Sequence, residues 1–368
     1  LLGTQVNLAT NVQSEFFTGT SDSSLEWVGV LGPQTPAAQI LLVSGDWDDI
    51  LTPSAADLLY QRLSAGQDGA FTREKVILSG LVHNYEPFSP RVWEAVRSWL
   101  ARQTGAVLPG GGGQALRVLA WLGGLAGLLL LAAGSERWAA AMLPAAPASP
   151  SGTQITSLPR FLRAKLLLWL GALPLAAVLG GVFFFLPLAK PVFNLIYVGF
   201  IGGYGLLLLI LYWRGRMPGV RGRLWDGKSA RPAAWRLATA LAVFALALAL
   251  TSAYARSGWF FAFPLNLRLV WLVIFTPFTA LGFWIGLREG ELLPASGRVR
   301  AAHTLIGLLP FFVYTLLMAA LGSLSGMIGG AQGLIVLWLA LLVGGLIQRL
   351  SARPWLAALC MAVLLYWL

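Results

Sequence analysis

Apolar positions run in blocks along this chain, and the blocks change character near residue 110. From Ala115 onward, eight stretches are apolar over a window of about 19–20 residues, the length a helix needs to cross a bilayer. They are Ala115–Ala133, Leu166–Leu186, Val192–Trp213, Trp235–Tyr254, Leu269–Leu287, Ala302–Leu321, Ile328–Ile347 and Pro354–Leu368, the last short for a crossing. Before them the blocks are shorter and alternate with polar turns. Ile40–Val43 ends at Ser44-Gly45, as a buried strand ends at a turn. Thr52-Pro53 opens a helix, with Thr52 at the N-cap and Pro53 at the first helical position, and Leu58, Leu59 and Leu63 mark its buried face. A second strand, Val76–Leu78, ends at Ser79-Gly80. Ser89 and Pro90 then start a helix on which Val92, Trp93, Val96, Trp99 and Leu100 share a face. Leu108-Pro109 and the glycines 110–113 form a hinge. The pattern thus divides the chain into a strand–helix–strand–helix region at 1–107, a linker at 108–114 and a polytopic helical region at 115–368. Residues 1–37 are polar and give no element.

Composition strengthens the second half of that picture. Hydrophobic residues make up 57% and charged residues 11% of the 368, against about a quarter charged in an ordinary soluble domain, and mean hydropathy is +0.72. The chain is read as a membrane protein in contact with a lipid bilayer. A net charge of +11 in a soluble protein suggests nucleic acid. Here the cations gather between apolar spans, so bilayer orientation accounts for them and no nucleic-acid partner is expected. Arg137, Arg160, Arg163 and Lys165 follow the first span, and Arg214, Arg216, Arg221, Arg223, Lys228 and Arg231 the third. Arg288, Arg298 and Arg300 follow the fifth, and Arg349 and Arg353 the seventh. If every span crosses, these loops share one side, which the positive-inside rule makes cytoplasmic. Residues 1–107 then lie outside a plasma (inner) membrane. The one cysteine, Cys360, falls in the last span, which leaves no disulfide framework and no thiol metal site. No cofactor is implied.

Candidate chemistry concentrates between Ala38 and His83. The first strand ends in Gly45-Asp46-Trp47-Asp48-Asp49 with Pro53 close behind, and the second in Gly80-Leu81-Val82-His83. This layout resembles the last third of an α/β-hydrolase domain. The resemblance implies a multi-domain fold, a partial α/β-hydrolase followed by an all-α bundle of about eight helices. It places the family's acid on Asp48 and its base on His83, 83 − 48 = 35 residues apart, with room for a helix and a strand between. In such a triad the imidazole takes the nucleophile's proton and the carboxylate fixes its tautomer. The implied function is a membrane-anchored serine hydrolase acting on an ester, lipid or peptide outside the membrane. No Gly-x-Ser-x-Gly elbow precedes Asp48, and the nearest string, Gly19-Thr20-Ser21-Asp22-Ser23, does not end in glycine. The chain starts at Leu1-Leu2, so it is expected to be a fragment whose nucleophile lies upstream.

The plainer readings stay beside these. Asp46 and Asp49 suit a solvated turn, and a metal site formed by them with Asp48 finds no further ligand nearby. His303, beside Arg300 at the start of the sixth span, suits an interfacial position. Arg256 and Arg268 flank an aromatic stretch with Trp259, Phe260 and Phe263 that suits the outer membrane surface. Pro174, Pro277 and Pro310 fall inside spans and are expected to kink them. No Asp, Glu, Lys or Arg falls mid-span in the eight segments, the usual mark of ion coupling, which points to an anchor or scaffold. The alternative function is a transporter or sensor of a lipid or small molecule, with the N-terminal region as an inactive binding module.

Overall fold

The computed structural model describes residues 40–48, 52–64, 73–81, 89–106, 114–142, 153–184, 192–222, 224, 234–258, 267–294 and 296–367. His83, Asp49, the polar stretch 1–37, the 107–113 linker and the aromatic stretch 259–266 lie outside them. The chain divides into two compact units, residues 1–122 with 315–330 and residues 123–314 with 331–368.

In the first unit, strand β1 (Ile40–Gly45) lies parallel to β2 (Arg73–Leu78), in register from Ile40 opposite Arg73 to Gly45 opposite Leu78. Parallel neighbours need a crossover, and helix α1 (Pro53–Ser64) supplies it. The Thr52 hydroxyl accepts from the Ala55 amide at 3.4 Å, as its N-cap position requires. Helix α2 (Pro90–Thr104) starts after Ser89 with Pro90 at its first turn and buries Val92. Leu100, expected on the buried face, is 38% exposed.

These elements fall close to where the pattern of apolar positions puts them, with β2 starting at Arg73, ahead of the expected Val76, but the hydrolase family does not follow from them. Among the described residues there are only two sheets, each of two strands, the second being the short antiparallel pair β3 (Gln154–Ile155) and β4 (Val220–Arg221). A hydrolase domain is organised on a many-stranded sheet that presents the nucleophile at its edge. Two parallel strands joined by a helix are a generic βαβ unit, common to many folds. The identification as an α/β-hydrolase is therefore corrected.

The second unit is helical. The helices are α3 (Gln114–Met142), which begins in the first unit, α4 (Leu158–Phe184) and α5 (Val192–Tyr197). A π-helical turn, Val198–Gly202, joins α5 to α6 (Gly203–Trp213). Then come α7 (Ala234–Gly258), α8 (Leu267–Leu292), α9 (Gly297–Ala320), α10 (Leu324–Ser351) and α11 (Pro354–Trp367), of which α9 ends and α10 begins in the first unit. Among the described residues, seven helices are long and apolar enough to cross a membrane. The chain is thus an apolar multi-helix bundle of multi-pass membrane character. The expected eighth span is the 14-residue α11, buried along most of its length against α8.

Outward-facing leucines and valines line the spans, among them Leu130, Leu170 and Val273, the inside-out surface expected of helices that meet lipid. Inside, Phe275 packs between Trp271 and Tyr366, and the Thr279 and Tyr366 hydroxyls hydrogen-bond to each other. Helices α6 and α8 touch backbone to backbone: a Cβ on Gly205 would stand 2.7 Å from the Gly282 Cα, the close approach that small residues permit in lipid.

Candidate functional site

Four helices of the second unit each carry a stripe of residues four apart, which puts them on one face. They are Phe161, Lys165 and Trp169 on α4; Tyr204, Leu208 and Tyr212 on α6; Ile285 and Glu289 on α8; and Val299 and His303 on α9. The stripes converge on three ionisable side chains. Lys165 and Glu289 form an ion pair with side chains 4% and 0% exposed. The His303 Nε2 lies 3.1 Å from the Lys165 ammonium and 3.2 Å from Glu289 Oε2. The Tyr212 hydroxyl donates to Glu289 Oε1 at 2.9 Å, so both carboxylate oxygens are engaged. Such saturation is what a buried charge requires.

The shell around the trio is aromatic. The ammonium of Lys165 stands 5.5 Å from the Tyr204 ring centre and 5.9 Å from that of Phe161, within cation–π range. Phe161 stacks on the His303 imidazole, and Trp169 on Tyr204 with centroids 3.8 Å apart. Tyr204 donates to the Lys165 carbonyl at 3.1 Å, and Trp169 Nε1 to the Ile306 carbonyl at 2.8 Å. These two bonds tie α6 to α4 and α4 to α9 around the charges.

A strap closes the cluster at its end of the bundle. The chain after α6 turns back so that Met217 and Leu224 bury in the same apolar cluster as Phe161, Tyr204 and Tyr212. Strand β4 pairs with β3, just ahead of α4. Gly219 makes the turn with φ +75°, and its carbonyl accepts from the Thr156 and Ser157 amides. A side chain there would be both strained and pressed against the Ser157 carbonyl. Arg288, next to Glu289 in sequence, donates to the Leu224 carbonyl at 3.0 Å and pairs with Glu291. Further along the same end, Gln348 donates to Glu291, Arg349 pairs with Glu136, and Arg236 caps the Arg349 and Leu350 carbonyls. These contacts bring the ends of α3, α6, α8 and α10 to the starts of α4, α7 and α9, the alternation that crossing helices produce. Trp138, Trp213, Trp235 and Trp355, all at this end, are exposed, as tryptophans at a membrane–water boundary are.

Two expectations about the spans are thereby corrected. Lys165 is helical and buried rather than a loop cation, and the His303 side chain faces the protein interior: both lie within helices long and apolar enough to cross a membrane. Glu289 also falls inside such a helix, because α8 continues beyond the apolar window to Leu292. The stripe of residues four apart was the signal available for all three.

The Asp48 candidate sits at the end of β1, 3% exposed, with its amide donating to the Gly45 carbonyl at 3.2 Å. Its proposed partner His83 lies outside the described residues. Asp46 is more than a solvated turn residue: its carboxylate accepts the Gly80 amide and so ties the turn after β1 to the turn after β2. Among the described residues, no group of three His, Cys, Asp or Glu side chains is arranged to hold a metal ion. Comparison of the chain with protein-family models, with curated proteins and with solved structures found no match.

Proposed function

We propose that this chain is a multi-pass transporter of a small polar solute, with Lys165, Glu289 and His303 as its coupling site. One observation carries the reading: the trio joins helices whose hydrogen-bond ladders are interrupted. Lys165 shares α4 with Pro174, Glu289 shares α8 with Pro277, and His303 shares α9 with Pro310. The tyrosines that serve the trio come from α6, directly after the π-helical turn. Proline removes a backbone bond and π turns locally unwind a helix, so both create points at which a helix can bend. Ionisable groups inside a membrane bundle typically mark ion or substrate pathways. A static staple has no use for a joint in every helix it binds.

In this reading the basic end of the bundle faces the cytoplasm of a plasma (inner) membrane, as the positive-inside rule favours. Residues 40–106, which precede the opposite end of α3, then lie on the outer side. The test uses the full chain in proteoliposomes on a solid-supported membrane, challenged in turn with amino acids, sugars and carboxylates. At least one solute evokes a charge movement, and Glu289→Gln lowers it by roughly a hundredfold, a typical contribution of one positioned proton-transfer group. Neither a charge movement nor a change of internal pH with any of these solutes overturns the transport reading.

A further inference from the structure

Deepening the transport reading, on which it rests only for its consequence, we propose that the coupling ion is the proton and that His303 is the group that loads it. The argument starts from one atom. His303 Nε2 is within hydrogen-bonding reach of a pure donor, the Lys165 ammonium at 3.1 Å, and of a pure acceptor, Glu289 Oε2 at 3.2 Å. It cannot serve both in the same state. With its lone pair free, Nε2 accepts from Lys165 and the ring proton sits on Nδ1. With a proton on Nε2, it donates to Glu289 and turns an N–H toward the ammonium.

Loading one proton from water onto Nε2 therefore exchanges one bond for another. The Lys165–His303 hydrogen bond is lost, a His303–Glu289 bond replaces it, and two like charges come to stand next to each other. The trio passes from net zero to net +1. Lys165 then keeps only its Glu289 bond and is pushed from the imidazole, which loosens α4 from α9 at the site where they meet. The helices that receive this push are the ones with proline breaks. Proton gain is thereby converted into relative movement of helices, which a coupling site must achieve.

The donor set disfavours a metal cation as the coupling ion. Hard cations need several free oxygens. Here the single carboxylate already holds Tyr212 on one oxygen and Lys165 and His303 on the other, which leaves neither oxygen free for a cation. Imidazole is the side chain whose unperturbed charge change falls in the physiological range. The charged and titratable groups facing it are few: Lys165 from α4, Tyr204 and Tyr212 from α6 beside its partners, and Glu289 from α8. Arg298 and Arg300 on its own helix are exposed.

The chain has two histidines, so imidazole nitrogen NMR on histidine-labelled full-length protein in nanodiscs is assigned by one variant, His303→Gln. The wild-type signals missing from that variant should show a neutral ring with a free Nε2 at high pH and an imidazolium at low pH, across a range of about pH 5 to 9. In Lys165→Gln the high-pH Nε2 signal changes from that of wild type, because the donor that Nε2 accepts from has been removed. A ring that keeps one tautomer and stays neutral throughout overturns the proposal, as does solute-evoked charge movement that follows a sodium gradient and ignores a proton gradient. The two readings fail separately. Titration of His303 without any solute-evoked current leaves the proton site standing and removes the transporter; current that His303→Gln leaves unchanged does the reverse.

Discussion

The two units of this molecule use the same ion-pair chemistry to opposite effect. In residues 40–106, Lys75 pairs with Asp57 and Arg102 with Glu74, with side chains between 27% and 56% exposed. Arg97 pairs with Glu94 one helical turn away, and that bond holds the Glu94 carboxyl below its ordinary range. Water can replace every partner in these pairs, so they are a poor source of stability. In the bundle, Lys165 and Glu289 are sealed from water. Their attraction must offset the loss of two hydration shells, so the pair is weak evidence of net stability, while removal of one member leaves a stranded charge. The strength of the attraction inside the bundle is therefore no measure of what the pair adds to stability.

Glu289→Ala should give the largest loss. It leaves the Lys165 ammonium buried without its counter-ion, which typically costs about 3–5 kcal/mol; thermal unfolding in nanodiscs reads this directly. Lys165→Met with Glu289→Leu sharpens the comparison, because apolar replacement of a whole buried pair is typically neutral or stabilising by about 1–4 kcal/mol. That double variant should melt no lower than wild type and give no solute-evoked current. A fold that fails in the double variant would show the pair to be a structural necessity. Tyr212→Phe comes next: it removes one hydrogen bond to a charged group and should cost about 1.5–3 kcal/mol by the same measurement. Lys75→Ala should cost no more than about 1 kcal/mol. A Lys75 effect as large as the Tyr212 effect would break the contrast between the units.

The helices were legible in the sequence because lipid demands long apolar windows, and those windows see the membrane rather than the helix. Helix α4 begins at Leu158, ahead of the window that starts at Leu166, and α9 begins at Gly297, ahead of Ala302. Lys165 and Glu289 fell in the margins between window and helix end, where a residue can be helical, buried and charged together. Their partnership was beyond any periodicity, since Lys165 lies 124 residues from Glu289 and 138 from His303. In the first unit, the end of β1 and the helix starts were legible from Gly45, Thr52-Pro53 and Ser89-Pro90, because turns and caps are local; the start of β2 was not, and it begins at Arg73 rather than Val76. The family was not, because a turn with an acid and a loop with a histidine carry no information on how many strands stand beside them.

Helix α11 has a consequence for mutation. The left-handed Ala352 at φ 53° lets the chain reverse immediately after Ser351, so that Pro354–Trp367 returns sheathed by protein along most of its length. Ala357, Ala358 and Met361 have no exposed surface at all. A bulkier or charged residue at any of the three has no open side to turn to, whereas the same residue at Leu130 or Leu170 would stand on the outside of the bundle.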